Sequence, residues 1–410
     1  MAVPNQALPA DPDAGFGLYV HWPYCDRICP YCDFNVRRAR PVDAATWRAA
    51  FHAEMGHVRS LQGTSAEPLT SIYFGGGTPS LMAPELIAGV IEDATATWGI
   101  ADDAEITVEA NPTSSETARF ADFRAVGVNR LSLGIQSLDD VALQFLGRDH
   151  AADQARHALE RATAIFERTT FDLIYGRPDQ TLASWEKELR GALAIAAGHV
   201  SLYQLTIEDG TAFAAAQRRG TLVTPEEMIL ADLYDATQSI MADAGLPAYE
   251  ISNHAGPSEH GRHNLTYWNY GAYAGIGPGA HGRLVVDGRR VATETIRDPD
   301  GWCAATLAEG YGISEQSDLD NEACGDELLV TGLRLAAGIP APRLMAVTGY
   351  SLAELGTAPR VTTLREENLI SIDDNRLAAT ASGRRLLNGV IAEIAADLSW
   401  LADQKTPAPG

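Results

Sequence analysis

Six β-rich apolar runs, separated by amphipathic helical stretches, leave few folds open to this chain. The strand candidates are GLYVHWP (17–23), LTSIYFGG (69–76), EITVEAN (105–111), RLSLGIQS (130–137), TFDLIYG (170–176) and VSLYQLTI (200–207). Near-continuous apolar runs of this length suit parallel strands buried on both faces. Helices are expected near 44–60, 84–98, 116–126, 150–166 and 183–197, with Pro84 close to the start of the second and Ser184 as cap of the last. The alternation makes the chain an α/β protein, either a barrel or an open sheet. Its polar residues favour the barrel. Asn111, Gln136, Asp172 and the glycines at 75–77 fall at or near C-terminal strand ends, and Glu109 lies just inside one. That is where barrel loops gather active-site groups.

Beyond the sixth run the pattern changes. Residues 246–300 read as irregular, rich in Gly, His, Asn and Tyr, and after about 310 the sequence becomes mainly helical with one hairpin. A domain boundary is expected between 300 and 312. This gives a disordered tail at 1–14, a barrel domain over 15–305 and a smaller, mainly helical domain over 312–400.

Composition excludes several roles. A net charge of −23 argues against nucleic acid as a partner, because phosphate binding needs a basic surface, and against docking on an anionic membrane by charge alone. The N-terminal stretch lacks the basic and apolar regions of a secretory signal. The most apolar later stretch (191–207) is interrupted by Gly198-His199 and reads as helix end, turn and strand, not as a transmembrane segment. Five cysteines are too few for a disulfide framework, so a cytoplasmic home is expected.

Three of those five crowd into YCDRICPYCDFN (24–35), as Cys25-x3-Cys29-x2-Cys32 directly after the first strand. Thiolates hold iron–sulfur clusters. Three in one loop can hold three irons of a 4Fe–4S cube and leave the fourth open. A zinc site would need His21 as fourth ligand, and inert thiols are the remaining alternative. Cys303 and Cys324 stand alone and read as small buried hydrophobes.

The triad followed by GGGTPS (75–80) resembles the radical S-adenosylmethionine superfamily. Without the GK[ST] of a phosphate loop, nucleoside triphosphate is a poor alternative ligand. The resemblance implies a partial (β/α)6 TIM-like barrel, a 4Fe–4S cluster on Cys25, Cys29 and Cys32, and S-adenosylmethionine on the open iron. YVHWPYC, EANP, LGIQS, FDLIYG and the C-terminal region are similar to the oxygen-independent coproporphyrinogen III dehydrogenase group. Carried over residue by residue, this similarity implies that Tyr19 and Tyr31 flank the cluster and cofactor. It also implies that Gly76, Gly77 and Thr78 meet the amino acid part, where glycine lets the backbone approach. Glu109, Gln136, Arg148 and Asp172 match polar contacts to S-adenosylmethionine, and Thr206 and His281 align with two more. One electron from the cluster would cleave the cofactor, with the protein orienting it and excluding water and oxygen. A flavodoxin or ferredoxin would supply the electron.

Two sequence features separate readings within the group. The dehydrogenases usually carry C-x2-C-x-C, whereas this chain has Phe34 after Cys29-x2-Cys32. His263-Asn264-Leu265-Thr266-Tyr267-Trp268 resembles the HNxxYW motif of the haem chaperones of the group, the HemW type. Imidazole is a common haem ligand and aromatic rings can cover a porphyrin face. His263 is thus the candidate axial ligand, with His254 and His260 behind it, unless His263 and Asn264 only fix a loop by hydrogen bonds. The expected function is binding haem and passing it to acceptor haemoproteins, including respiratory ones. A coproporphyrinogen III dehydrogenase and a radical methyltransferase are the alternatives.

Overall fold

The structure is a computed structural model that describes residues 14–63, 67–196 and 198–405. All of the expected N-terminal tail except Ala14 lies outside them. Eleven strands form one sheet: β1 (Phe16–Trp22), β2 (Leu69–Gly76), β3 (Ile100–Ala110), β4 (Arg130–Gln136), β5 (Arg168–Tyr175), β6 (His199–Gln204), β7 (Asn253–Ala255), β8 (Ala272–Ile276), β9 (His281–Val286), β10 (Arg289–Thr295) and β11 (Ile313–Asp318). Their order is β11-β10-β9-β8-β1-β2-β3-β4-β5-β6-β7. From β1 to β6 every neighbour is sequential and parallel, and β8 joins β1 in parallel. Antiparallel β7 ends one side and the β9–β11 meander ends the other. This is a partial (β/α)6 barrel, with β7 and β11 as the free edges of its sheet.

The helices between the strands lie close to their expected positions. Ala44–Gln62 is capped by Asp43, whose carboxylate accepts from the Thr46 N–H, and Pro84–Trp98 carries Pro84 in its first turn. The fifth differs in detail. Its cap is Thr181, and Ser184 sits at the third helical position, bonding back to the Thr181 N–H. The two form a reciprocal pair, so Ser184 is the second half of a capping box. The stretch at 116–126 is split into Ser114–Thr117 and Phe120–Ala125.

The strands are not apolar on both faces. Leu18, Val20, Ile72, Phe74, Val108, Leu131, Leu133, Phe171, Leu173 and Leu202 point outward into the main core beneath the helices. The alternate positions point inward and carry Tyr19, His21, Ser71, Tyr73, Glu105, Thr107, Glu109, Arg130, Ser132, Arg168, Thr170, Asp172 and Ser201. The interior is therefore a polar chamber. The "irregular" region 246–300 also proves structured, holding β7, the helix Arg262–Trp268 and the start of the meander. A second core, including Leu328, Leu329, Leu344, Leu355, Val361, Ile370, Leu377 and Ile394, knits the C-terminal helices to a small three-stranded sheet.

Glu54, on the first helix, joins barrel and meander. Its buried carboxylate accepts from the N–H groups of Gly277 (2.8 Å) and Gly312 (3.0 Å) and from Trp302 Nε1. Burial outweighs these donors and raises its pKa from 4.5 to about 7. The folded state then holds this proton more tightly than the unfolded chain. Its contribution to stability is greatest below about pH 4.5 and falls as pH rises towards 7. Glu54→Gln turns an amide donor onto N–H donors. It should cost roughly 1–3 kcal/mol in urea unfolding at pH 7 and flatten the slope of stability between pH 5 and 7.

Candidate functional site

The cysteine loop sits where β1 ends. Tyr24–Cys25 pairs with Arg37–Arg38 in a short parallel bridge, which folds Cys29 and Cys32 back towards the barrel mouth. The Cys32 N–H bonds to the Cys29 carbonyl (3.2 Å). All three thiols are free, and burial pushes Cys25 up to about 12 and raises Cys32. His21 is not available to complete a zinc site. Its Nδ1 meets Tyr19 Oη and its Nε2 meets the Asn35 carbonyl, both at 3.0 Å. Among the described residues no three His, Cys, Asp or Glu groups surround a single ion.

The glycine loop after β2 clamps this segment rather than offering free amides. The N–H groups of Gly77 and Thr78 bond to the carbonyls of Trp22 (2.7 Å) and Tyr24 (2.9 Å), and that of Gly76 turns to Glu109. A Cβ on Gly77 would lie 2.8 Å from those two carbonyl oxygens. Glycine is required here by the chain's approach to itself, and with these N–H groups engaged, the carbonyls are the backbone groups left to meet a ligand. Thr78 Oγ1 accepts from Asn111 Nδ2 (3.2 Å) and holds the Cys25 thiol.

Beside the loop, Arg148 donates to Cys29 Sγ (3.2 Å), to the Gly134 carbonyl (2.8 Å) and to Asn111 Oδ1, while its Nε has no partner. Tyr31 packs on Phe213 and the Cys29 thiol. Gln136 closes β4 with φ +69°, a left-handed conformation costly for a side chain of this kind, and its buried Oε1 has no partner. Glu109 accepts from Tyr73 Oη (2.7 Å), and burial with the nearby Asp172 raises it to about 7. Asp172 lies inside β5, not at its end, bonds to Ser201 and is raised by burial to about 6. These residues fit a cluster and its cation-bearing cofactor. The three thiols are electrostatic neighbours, Arg148 donates to the Cys29 sulfur, Gln136 and Arg148 each keep an unpartnered polar atom, and two carboxylates stand near the strand ends, Glu109 one residue from the end of β3 and Asp172 three residues inside β5. Thr206 does not join them. It is exposed after β6, its hydroxyl donating weakly to the Gln204 carbonyl (3.4 Å).

From this level, where Gly76 and Glu109 line it, a cavity of about 880 Å³ extends into the barrel to the motif residues His263 and Tyr267. Tyr19, Tyr73, Tyr203, Tyr267, Trp268, Tyr270 and Tyr273 supply aromatic faces; Phe34 stands 60% exposed at its edge, and His281 lines it with its Nε2 3.8 Å from Glu294. The helix Asn321–Gly332 of the C-terminal region closes one wall through Glu327 and Val330.

The HNLTYW stretch forms the helix Arg262–Trp268, which plugs the N-terminal end of the barrel. His263 is 1% exposed. Its Nδ1 pairs with Ser71 Oγ (2.8 Å) and its Nε2 with Tyr267 Oη (2.6 Å). Its ring stacks on Tyr73 at 5.0 Å, in the space left by Gly17. Burial lowers its pKa to about 3, so the imidazole is neutral, but neither nitrogen is open in this arrangement. This is the hydrogen-bonded alternative, and an axial role needs Tyr267 to move. His254 is buried in β7 and His260 stacks on Tyr249 at 4.4 Å; neither lines the cavity. The anchors of this plug escaped sequence reading. Glu105 accepts from Arg168 (2.7 Å) and the His263 N–H (3.3 Å) and faces Arg130 (3.7 Å). Their signal was the polar residue at every second strand position.

Comparisons with known proteins identify the family. The Radical SAM superfamily profile matches residues 19–190 and the HemN C-terminal domain profile matches 319–386. The mitochondrial radical S-adenosyl methionine domain-containing protein 1 of Bos taurus is 37% identical over 409 residues, covering 98% of this chain and 92% of its own. The heme chaperone HemW of Escherichia coli is 33% identical over 379 residues, covering 91% and 96%. The structure of coproporphyrinogen III oxidase (HemN) from Escherichia coli shares the fold, with TM-score 0.75 and 21% identity over 96% of this chain and 92% of that one. The chain belongs to the family of HemW-type radical S-adenosylmethionine proteins.

Proposed function

We propose that this protein is a haem chaperone that holds haem in the barrel cavity and passes it to acceptor haemoproteins, respiratory ones among them. The observation that carries this reading is the cavity itself. His263, Tyr267 and Trp268 of the motif helix meet Phe34 in a single aromatic-lined space of about 880 Å³, within the roughly 300–1,000 Å³ common for organic ligand sites. Phe34 replaces a polar, reactive thiol by an apolar face on which a macrocycle can lie.

Cys25, Cys29 and Cys32 would hold a 4Fe–4S cluster, which with S-adenosylmethionine supplies one-electron chemistry to the site. Gln136 and Arg148 would turn their unpartnered atoms to the cofactor, and Glu109 and Asp172 would offset its positive sulfonium. Tyr19 and Tyr73 separate that end from the motif helix and keep water out. A flavodoxin or ferredoxin would be the electron donor. Among the described residues no helix is long and apolar enough to cross a membrane. We place the protein in a reducing compartment, the cytoplasm, although the animal relatives are named as mitochondrial.

Because His263 is neutral, it can ligate iron without losing a proton, but Tyr267 must release Nε2. Anaerobic haem titration should therefore show an altered Soret band and weaker binding for His263→Ala, and unimpaired or tighter binding for Tyr267→Phe. An unchanged spectrum for His263→Ala would remove it as ligand. Sustained anaerobic formation of protoporphyrinogen IX from coproporphyrinogen III would instead mark a dehydrogenase, and a methylated product a methyltransferase.

A further inference from the structure

Arg290, on β10, is a buried charged group in the cavity wall that makes no ion pair among the described residues. It is 5% exposed. Its guanidinium donates to the backbone carbonyls of Tyr270 (3.1 Å) and Gly271 (2.7 Å) and lies 4.0 Å over the Tyr270 ring. Its Nε has no hydrogen-bond partner. Its neighbour Arg283 is treated differently. Arg283 is neutralised by Glu327, at 2.8 and 2.9 Å, so the nearby carboxylate is already spent. Among the described residues, none of the ion pairs involves Arg290. The cavity's other carboxylates do not supply one: Glu109 is bonded to Tyr73 and Gly76, and Asp33 and Asp326 are exposed.

Burying a guanidinium without a counter-charge is costly, and a fold keeps such a group where something else completes it. Two carbonyls and a π face satisfy part of its donor set and fix its plane, which leaves a preset fork for a carboxylate. A second unsatisfied donor, Trp268 Nε1, lines the same cavity, under the Arg334 guanidinium at 4.6 Å. We propose that Arg290 is the carboxylate receptor of the cavity, and that its ligand is a planar aromatic molecule bearing a carboxylate side arm, held with that arm towards β10 and its ring among the tyrosines. This rests on the haem reading, under which the arm is a haem propionate.

The test is anaerobic titration of the full chain with haem and with haem dimethyl ester in the same mixed solvent, for wild type, Arg290→Met and Arg290→Lys, with folding checked by circular dichroism. Wild type should bind the ester roughly tenfold to a hundredfold more weakly, the range for losing a charged hydrogen bond. Arg290→Met should weaken haem by a similar factor and leave the ester unchanged, whereas Arg290→Lys should keep part of the preference. Equal binding of haem and ester by wild type overturns the receptor while leaving the haem reading intact. A preference that survives in Arg290→Met overturns it too. If wild type binds neither, the haem reading itself fails.

Discussion

Replacing any one of Cys25, Cys29 and Cys32 by alanine should abolish the cluster. After anaerobic reconstitution, iron and acid-labile sulfide should fall to background in each variant, together with the brown visible absorption of the wild type. The effect is expected to be all-or-none. With one thiolate missing, two irons instead of one lack a protein ligand in an accessible loop, and no nearby side chain replaces it. His21 is occupied on both ring nitrogens, and position 34 is Phe. The fold should survive, because Cys29 and Cys32 belong to no hydrophobic core. A variant that kept full iron content would reassign the ligand set. Cys303→Ala and Cys324→Ala should change nothing in this assay, since both cysteines lie away from the loop.

The second large effect concerns stability. Glu105→Gln should destabilise the barrel by about 3–5 kcal/mol, the loss usual when one partner of a buried ion pair is removed. Glu105 is buried against Arg168 and Arg130, and Arg130 has no other carboxylate in ion-pair contact among the described residues. The variant leaves that guanidinium buried and uncompensated under the motif helix. The midpoint of urea unfolding reports the cost. The two arginines also hold Glu105 below the ordinary carboxylate pKa despite its burial. Its stabilisation is therefore present above about pH 4.5 and is lost as pH falls through the lowered folded value. Glu105→Gln should lack that part of the acid loss, and an unchanged acid limb would show that the pair contributes little.

Much of this was legible in the sequence, for definite physical reasons. The switch of period from strand to helix recurs between six apolar runs, and β2 in particular lies over the same residues, 69–76, that its apolar run marks. The cysteine loop could be read because thiol spacing is local. The chamber inside the barrel was harder. Ser71 looks like an isolated polar interruption of its run, Glu105 and Arg130 open theirs, and Arg168 precedes the next, so nothing in the sequence groups them. Only the register brings them onto one wall. His263 fails in the opposite way. The motif names the residue, but whether its nitrogens are open depends on Ser71, 192 positions away. The meander was hidden because Gly, His and Tyr at 271–282 resemble a loop, while their strand partners Tyr19 and Arg283 lie on neighbouring elements.

Glu109 belongs to both halves of the chamber. It stands with the polar groups at the strand ends, and it lines the cavity through the same Tyr73 that stacks on His263. A cation bound at the strand ends favours its ionised form, while a macrocycle that strips water from the cavity favours the protonated one. Two ligands that pull one proton in opposite directions carry a coupling free energy, and reciprocity makes it identical from either side. Under the proposed function, whatever factor haem imposes on the affinity for S-adenosylmethionine, S-adenosylmethionine must return to haem. If both ligands bind as proposed, the Glu109 carboxyl couples them.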